Sequence, residues 1–154
     1  MKRVVFVSSS GGHLTEILKL KDLFSEYDYL LVTEKTKLTL ELSNQYKMEF
    51  LEYGPNKNLF KYVLIILYNI LLCLKILIKF KPETIVTTGA QIGGIMCLIG
   101  KIFRCKVIYI ESLAKTRTLS RTGEFVYKFA DKFYVQWESL TDVYDRAFYL
   151  GRLM

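Results

Sequence analysis

A run of small polar residues follows the first apolar stretch of the chain and ends in its only histidine. The run Ser8-Ser9-Ser10-Gly11-Gly12-His13 comes directly after Val4–Val7 and precedes residues with the spacing of an amphipathic helix. Glycines allow a close backbone approach, and N–H groups at the start of a helix attract anions. The run predicts a phosphate or carboxylate site, with tight loop packing and a merely capping or solvated His13 as the structural alternatives.

Two further segments carry polar groups at the ends of apolar runs. Thr87-Thr88-Gly89-Ala90 opens a glycine-bearing helical segment, and Glu111-Ser112 leads into the cationic run Lys115–Arg121. His13 is the first candidate for a general base or a ligand-binding group, because a neutral imidazole accepts a hydroxyl proton near pH 7. Glu111 is the second candidate base, since a carboxylate is costly to bury without a partner. The cationic run is also typical of a solvated loop.

The predicted substrate contacts come from the same segments. Loop N–H groups would stabilise charge on phosphate or carboxylate oxygens, and Glu16, one turn after His13, would orient the imidazole. The predicted substrate-binding residues are Ser10, Gly11, Gly12, Glu16, Gly89, Ala90 and Arg117.

The sequence disfavours several familiar classes of nucleotide, hydrolase and metal sites. A GxGxxG frame falls on Ser10, Gly12 and Thr15, so one glycine matches, although Glu34 lies where a ribose-binding acid is expected. The sequence contains no P-loop, no GxSxG elbow and no Asp-x-Asp pair. A single histidine and scattered cysteines make a protein-built metal site improbable. We therefore expect neither a metal nor a cofactor.

Composition limits the partners and the compartment. The 154 residues carry 22 Lys and Arg against 15 Asp and Glu, a net charge of +7, which favours anionic partners. The basic residues are scattered without a nucleic-acid motif, so we expect no nucleic-acid partner. Cys73, Cys97 and Cys105 lie in apolar runs and are expected to be buried thiols of a reducing compartment. Met1-Lys2-Arg3 runs directly into a predicted strand, which indicates no signal peptide and the cytoplasmic side.

Strand-like and helix-like segments alternate along the chain. Continuous apolar strands separated by helices indicate a parallel sheet covered on both faces. We predict one α/β domain over residues 1–154, a Rossmann-like doubly wound sheet with its ligands at the carboxyl ends of the strands. The predicted strands are Arg3–Ser8, Tyr27–Thr33, Met48–Tyr53, Thr84–Thr87, Lys106–Ile110 and Lys132–Gln136. The predicted helices are Gly12–Ser25, Lys35–Gln45, Leu59–Phe80, Ile92–Phe103, Leu119–Ala130 and Ser139–Ala147.

The helix predicted over Leu59–Phe80 is unusually apolar. Its uninterrupted apolar core between Lys61 and Lys75 is 13 residues long, short of the ~18–20 residues that spanning demands. A helical wheel places Lys61, Lys75 and Lys79 on one narrow stripe, with a wide apolar face around it. This pattern favours an amphipathic helix that packs on the sheet and leans into the headgroups of an anionic membrane. A fully buried connector and a spanning helix are the alternatives.

The apolar C-terminal stretch, residues 147–154, is expected either to add a strand to its own sheet or to dock on a partner.

These motifs resemble, over nearly the whole chain and in the same order, those of the oligosaccharide-biosynthesis family. The resemblance rests on Ser10–His13 with Glu16, Thr87–Ala90, Tyr109–Ser112 and Phe129–Trp137. The family includes the membrane-anchor subunit of the eukaryotic dolichol-linked UDP-N-acetylglucosamine transferase and bacterial capsule and exopolysaccharide transferase subunits called enhancers. The Gly-Gly-His loop is more distantly similar to the acceptor-side loop of the peptidoglycan lipid-linked N-acetylglucosaminyltransferase. Eukaryotic members typically begin with a hydrophobic anchor, whereas this sequence is expected to begin with a strand. This departure shifts the expected membrane attachment onto Leu59–Phe80.

The resemblance implies the N-terminal, acceptor-side half of a two-domain GT-B glycosyltransferase. A separate partner subunit would carry the half that binds the UDP-sugar, and a polyprenyl-diphosphate-linked sugar would be the acceptor. We expect metal-independent, inverting transfer at the cytoplasmic face of the cell membrane, with the chain peripherally attached and inactive without its partner. The alternative is a membrane scaffold or enhancer that has no catalytic residue and recruits and activates a partner transferase.

Overall fold

The computed structural model describes residues 1–54 and 58–153, and within them one parallel sheet organises the chain. The strands are β1 (Arg3–Val7), β2 (Asp28–Glu34), β3 (Met48–Leu51), β4 (Thr84–Thr87), β5 (Lys106–Ile110), β6 (Lys132–Val135) and β7 (Ala147–Tyr149). The α-helices are α1 (Gly12–Leu18), α2 (Lys37–Leu42), α3 (Leu59–Phe80), α4 (Gln91–Ile102) and α5 (Arg121–Tyr127). Short 3-10 helices span Lys21–Glu26 and Glu138–Leu140.

The strand order is β3-β2-β1-β4-β5-β6-β7, and every neighbouring pair is parallel. The chain builds outward from β1 through β2 to β3, then returns to the other side of β1 and builds outward again from β4. The topological switch point therefore lies between β1 and β4, where open α/β sheets bind ligands.

Apolar residues alternate between the two faces of the sheet because successive strand side chains point in opposite directions. On one face, Val5, Val7 and Tyr109 belong to a core with the buried sides of α3, α4 and α5. On the other face, Val4 and Phe6 pack with residues of α1 and the first 3-10 helix. Helices thus cover both faces, which confirms the predicted Rossmann-like, doubly wound α/β fold.

Several element boundaries differ from the sequence prediction. The helix expected over Gly12–Ser25 ends after seven residues, and a 3-10 helix follows that buries Phe24 against Phe6 and Tyr29. Because α1 is so short, its dipole alone is a weaker basis for anion binding than the predicted helix would have been. The predicted helix Lys35–Gln45 is shorter as well, Lys37–Leu42 behind a capping box at Thr36.

The helix predicted over Ser139–Ala147 is wrong. A 3-10 turn takes its place, and Tyr127 Oη fixes the following segment by donating to Asp145 and accepting from the Arg146 N–H. That segment delivers Ala147–Tyr149 as β7, parallel to β6. The C-terminal stretch therefore adds a strand to its own sheet, one of the two expected outcomes.

The prediction that the three cysteines are buried thiols is confirmed. Cys73, Cys97 and Cys105 are free and buried in the structure. Burial raises the pKa of the Cys73 thiol to about 12, so it stays protonated at neutral pH.

Helix α3 buries one face and leaves a broad apolar face outside. Its buried residues are Asn69, Cys73, Ile76 and Leu77. Asn69 ties the helix to the end of β3, because its Oδ1 accepts the Glu52 N–H at 2.8 Å and its Nδ2 donates to the Glu52 carbonyl at 3.0 Å. The exposed apolar residues of the helix are Leu59, Phe60, Val63, Leu64, Leu67, Leu71 and Ile78.

The lysine stripe runs along the flank of this outward face. Lys61, Lys75 and Lys79 are exposed, and Lys79 Nζ lies 3.9 Å from a Glu49 oxygen. The alternative of a fully buried connector is wrong, since only 22% of the most apolar window of α3 is buried. By length and composition alone α3 is also long and apolar enough to cross a membrane.

Candidate functional site

The loops after β1 and β4 are joined by hydrogen bonds across the switch point. His13 Nδ1 lies 2.7 Å from the Thr88 carbonyl oxygen, and the Thr88 hydroxyl donates to the His13 carbonyl at 2.8 Å. The Ser9 N–H donates to the Gly89 carbonyl at 3.2 Å. These reciprocal bonds hold the His13 ring in one orientation at the carboxyl edge of the sheet.

The bond to Thr88 fixes the tautomer of His13. A carbonyl oxygen can only accept, so Nδ1 must carry the proton. In the neutral ring Nε2 then holds the free lone pair and is the nitrogen available to accept a proton. This is the arrangement that a general base requires, with a backbone carbonyl orienting the ring.

The serine-glycine loop is held from the side of β2. Both the Ser10 N–H and the Ser10 hydroxyl donate to Glu34 Oε2, at 2.9 and 2.8 Å. Ser10, a predicted substrate contact, thus already uses both of its donors. Gly11 has a φ of 84°, which favours glycine, and both Gly11 and Gly12 are exposed. Of the predicted anion donors in this loop, Gly11 and Gly12 have N–H groups free of partners in the described part of the chain.

The loop after β4 also needs its glycine. Gly89 has a φ of 97°, and a Cβ there would lie 3.0 Å from Tyr109 Oη and 3.4 Å from His13 Cε1. Gly89 was predicted to offer its N–H to a ligand. In the structure this N–H instead donates to Thr87 Oγ1 at 3.0 Å. Ala90 caps α4 and is half-buried.

Glu16 joins α1 to the loop after β5 and does not orient His13. Its Oε1 accepts the Ser112 hydroxyl and the Leu113 N–H, both at 3.0 Å. The Thr88 carbonyl takes the orienting role that the sequence assigned to Glu16. Glu16 Oε2 is buried and has no hydrogen-bond partner within the residues that the structure describes.

Glu111 lies completely buried beneath the same loop. Its Oε1 accepts the Ser112 N–H at 2.9 Å, and its Oε2 accepts the Ser120 N–H at 2.9 Å and the Ser120 hydroxyl at 3.1 Å. Burial raises the pKa of the Glu111 carboxyl, and the bonds from Ser120 and Ser112 partly oppose that rise. The carboxylate therefore binds both ends of the loop 112–120.

The cations of that loop remain outside. Arg117 and Arg121 are exposed, and the described residues form no ion pair with either. Arg117 lies in the loop between β5 and α5, as predicted. The rim acids Glu16, Glu34 and Glu111 are in contrast engaged by loop donors.

Three positioning residues were missed as site residues. Thr88 bonds His13, Ser112 bridges Glu16 and Glu111, and Ser120 anchors Glu111 while capping α5. All three directly adjoin predicted site motifs, but their pairings need the sheet order. Among the described residues, no three His, Cys, Asp or Glu side chains are grouped as a metal ion would require.

The fold is that of one Rossmann-like half of the GT-B architecture. The crystal structure of MurG from Acinetobacter baumannii matches this chain with a TM-score of 0.76 and 15% identity. The match covers 90% of this chain and 43% of MurG. The UDP-N-acetylglucosamine 2-epimerase from Rickettsia bellii matches over 100% of this chain and 46% of its own, with a TM-score of 0.74 and 15% identity. The chain thus spans less than half of each of these structures, consistent with the predicted N-terminal half.

The chain belongs to the family described as "Oligosaccharide biosynthesis protein Alg14 like", whose profile matches residues 55–153. This confirms the resemblance seen in the motifs. The human protein "UDP-N-acetylglucosamine transferase subunit ALG14" is 24% identical over 98% of this chain and 82% of its own length. The mouse protein of the same name is 28% identical over 99% of this chain and 83% of its own.

Proposed function

We propose that this chain is the acceptor-binding subunit of a two-component, inverting glycosyltransferase. The reaction transfers a sugar from a UDP-sugar to a polyprenyl-diphosphate-linked acceptor, and a separate partner subunit carries the UDP-sugar-binding half. The observation that supports this most directly is the orientation of His13 at the switch point of a domain that corresponds to half of the matched solved structures.

The relatives support the division of labour. The human and mouse proteins are named as subunits of a UDP-N-acetylglucosamine transferase, and this chain covers 82% and 83% of them. We propose that residues 1–154 form one acceptor-side domain. The partner subunit supplies the opposite side of the binding cleft.

His13 is the proposed base. The acceptor hydroxyl gives its proton to Nε2 while its oxygen attacks the anomeric carbon of the donor from the side opposite UDP. The bond between the anomeric carbon and the β-phosphate oxygen breaks, and UDP departs with both bonding electrons. The imidazolium that forms is stabilised by the Thr88 carbonyl, because the Nδ1–H···O bond strengthens when the ring is charged.

Glu111 is the second predicted catalytic residue, and we propose that it acts by positioning. Its carboxylate is completely buried and both oxygens accept from Ser112 and Ser120. A group held in this way sets the course of the loop 112–120 and with it the place of Arg117. The cationic loop then faces the acceptor diphosphate as part of the positive rim.

We propose that the remaining contacts to acceptor oxygens come from the N–H groups of Gly11, Gly12 and Ala90. Ser10 and Gly89 shape the two loops from which these groups project, through their bonds to Glu34 and Thr87. Preorganised backbone donors of this kind stabilise phosphate charge without a proton transfer.

We further propose that α3 attaches the domain peripherally to the cytoplasmic face of the cell membrane. The apolar outward face would enter the headgroup region, and Lys61, Lys75 and Lys79 on its flank would meet anionic lipid. Asn69 keeps the helix on its own domain while it does so. The lipid-linked product would serve capsule or exopolysaccharide synthesis, as the resemblance to bacterial enhancer subunits implies.

The proposal is tested by assaying transfer with the chain alone, with its partner alone and with both. Radiolabel from a UDP-sugar should enter the organic phase with a polyprenyl-diphosphate acceptor only when both chains are present. Full transfer by the partner alone would contradict the proposal. Activity that needs this chain but survives loss of His13 would instead favour the scaffold or enhancer function.

A further inference from the structure

A shallow groove between α4 and α5 starts at the rim of the site and runs away from it. Both helices begin at the carboxyl edge of the sheet, α4 directly after Ala90 and α5 directly after Ser120. Gln91 and Arg121 lie at this upper end, and Leu98 lies two turns along α4, about 10 Å further at 1.5 Å per residue. The groove therefore leads from the predicted diphosphate region towards the opposite edge of the domain.

The lining of the groove is divided between charge and apolar surface. Arg121 stands at the rim end, and no acidic residue contributes to the lining. The body is formed by Ile95, Leu98 and Phe125, and Leu98 and Phe125 remain 43% and 44% exposed. Binding of an apolar ligand here would be favourable, because it removes these exposed side chains from water.

A glycine sets the floor of the groove. A Cβ on Gly94 would lie 2.8 Å from Thr122 Cγ2, so α4 and α5 touch here only because Gly94 has no side chain. The volume is 290 Å³, just below the range of about 300–1,000 Å³ typical of small-molecule sites. This is room for the first part of a ligand chain and not for a whole polyprenyl tail.

Helix α4 packs against α5 on one side and against α3 on the other. Leu67 and Leu71 of α3 are 53% and 63% exposed. Ile102, at the end of α4, is 74% exposed. A chain that leaves the groove and crosses the outer side of α4 would meet the surface that the proposed function turns towards the bilayer.

We infer that the α4–α5 groove binds the first isoprenoid units of the acceptor, with Arg121 paired to its diphosphate. The cation at one end and the acid-free apolar body match an amphiphile with an anionic head and a hydrocarbon tail. The inference rests on the proposed function and adds a place for the lipid next to the reacting hydroxyl. It also separates two roles, since α3 contacts the bilayer and the groove contacts the substrate chain.

Photo-crosslinking with a benzophenone analogue of farnesyl diphosphate tests this groove in the full chain purified with its partner. Peptide mapping should find adducts on residues 91–102 or 121–127. Farnesyl diphosphate should compete about tenfold more effectively than either pyrophosphate or farnesol, because each of these lacks one half of the matched chemistry. Adducts confined to α3, or pyrophosphate competing as well as farnesyl diphosphate, would overturn the inference.

Matched variants sharpen the result. Leu98→Gln combined with Phe125→Gln should lower labelling about tenfold, and Arg121→Gln should lower it by a similar factor. Leu38→Gln, an exposed leucine of α2 outside the groove, should leave labelling unchanged. Equal labelling in all variants would overturn the groove.

The outcome is separable from that of the proposed function. Groove labelling without sugar transfer by the complex would contradict the proposed function and leave the groove standing. Transfer that is equally sensitive to the groove variants with long-chain and short-chain acceptors would contradict the groove and leave the proposed function standing.

Discussion

The carboxylate of Glu111 and the hydroxyl of Ser120 lie 3.1 Å apart beneath the loop after β5, and the same carboxylate oxygen also accepts the Ser120 N–H. Ser120 Oγ accepts in turn from the Gly123 N–H at 2.9 Å, so the first turn of α5 is built onto a buried acid. A Cβ on Gly123 would collide with Glu111 Oε2. The cationic loop and α5 therefore share one internal anchor.

Gly123→Ala should displace this anchor. The added methyl group has no space, and overpacking of this kind costs about 1–3 kcal/mol of the free energy of unfolding. Urea denaturation measures the loss. Gly12→Ala is the control, since nothing lies within 4 Å of a Cβ there, and it should change stability by less than about 0.5 kcal/mol. Equal stability of the two variants would argue against the anchor.

The raised pKa of Glu111 gives stability a defined pH dependence. Above the ordinary value of 4.5 the folded chain binds more protons at this carboxyl than the unfolded chain. Stability from this group is therefore fully present below pH 4.5 and declines as pH rises through the raised pKa. The unfolding free energies of the wild type and of Glu111→Gln should be measured from pH 4 upward. As pH rises, the wild type should lose stability relative to Glu111→Gln, because the Gln side chain does not titrate.

Ser120→Ala provides a second variant for the same prediction. Removing its hydroxyl takes away a bond that favours the ionised form, so the pKa of Glu111 should rise further. The decline of stability should then extend to higher pH than in the wild type. A decline that is identical in wild type, Glu111→Gln and Ser120→Ala would show that another group causes it.

Asn69 should matter for the attachment of α3 rather than for the helix itself. Asn69→Leu leaves the N–H and carbonyl of Glu52 without their partners, which should cost about 1–3 kcal/mol of unfolding free energy. Tyr68→Leu, at the exposed neighbouring position, should be close to neutral. A neutral Asn69→Leu would show that α3 is not held by this contact.

Membrane attachment should depend on the outward face and the lysine flank separately. Leu67→Gln with Leu71→Gln should lower partitioning into both neutral and anionic vesicles about tenfold. Lys75→Gln with Lys79→Gln should lower partitioning only into anionic vesicles, about 30-fold at roughly 1 kcal/mol per lysine. Leu38→Gln, an exposed leucine on α2, is the control and should change neither. Vesicle flotation that is indifferent to the α3 variants would contradict the proposed attachment.

The sheet was predictable because its strands are short apolar runs of regular spacing. Six of the seven strands lie where the sequence placed them, and the seventh follows from the apolar end of the chain. Ser139–Ala147 misled because its helical spacing competes with a tertiary contact, the bonds from Tyr127 to Asp145 and Arg146. Such a contact over 18 residues of sequence has no local signature.

The candidate site was predictable in its residues and not in its pairings. His13, Glu16 and Glu111 stand out by type and position, and the structure places all three at the same edge. Which donor meets which acceptor depends on β4 lying beside β1, and this pairing brings together His13 and Thr88, which are 75 positions apart in the sequence. From the sequence, Thr88 was identified only as a residue at the end of a strand. In the structure, its carbonyl oxygen orients the imidazole of His13.

The rate of sugar transfer by the intact complex carrying His13→Asn tests the central claim most directly. Asn retains an amide donor near the position of Nδ1 and so can still bond the Thr88 carbonyl, but it has no counterpart of Nε2. With complex formation verified by co-purification, kcat should fall about 10²–10⁴-fold, the usual contribution of a general base. A variant complex that assembles and transfers sugar at the wild-type rate would contradict the assignment of His13 and with it the proposal that this chain supplies the reacting half of the site.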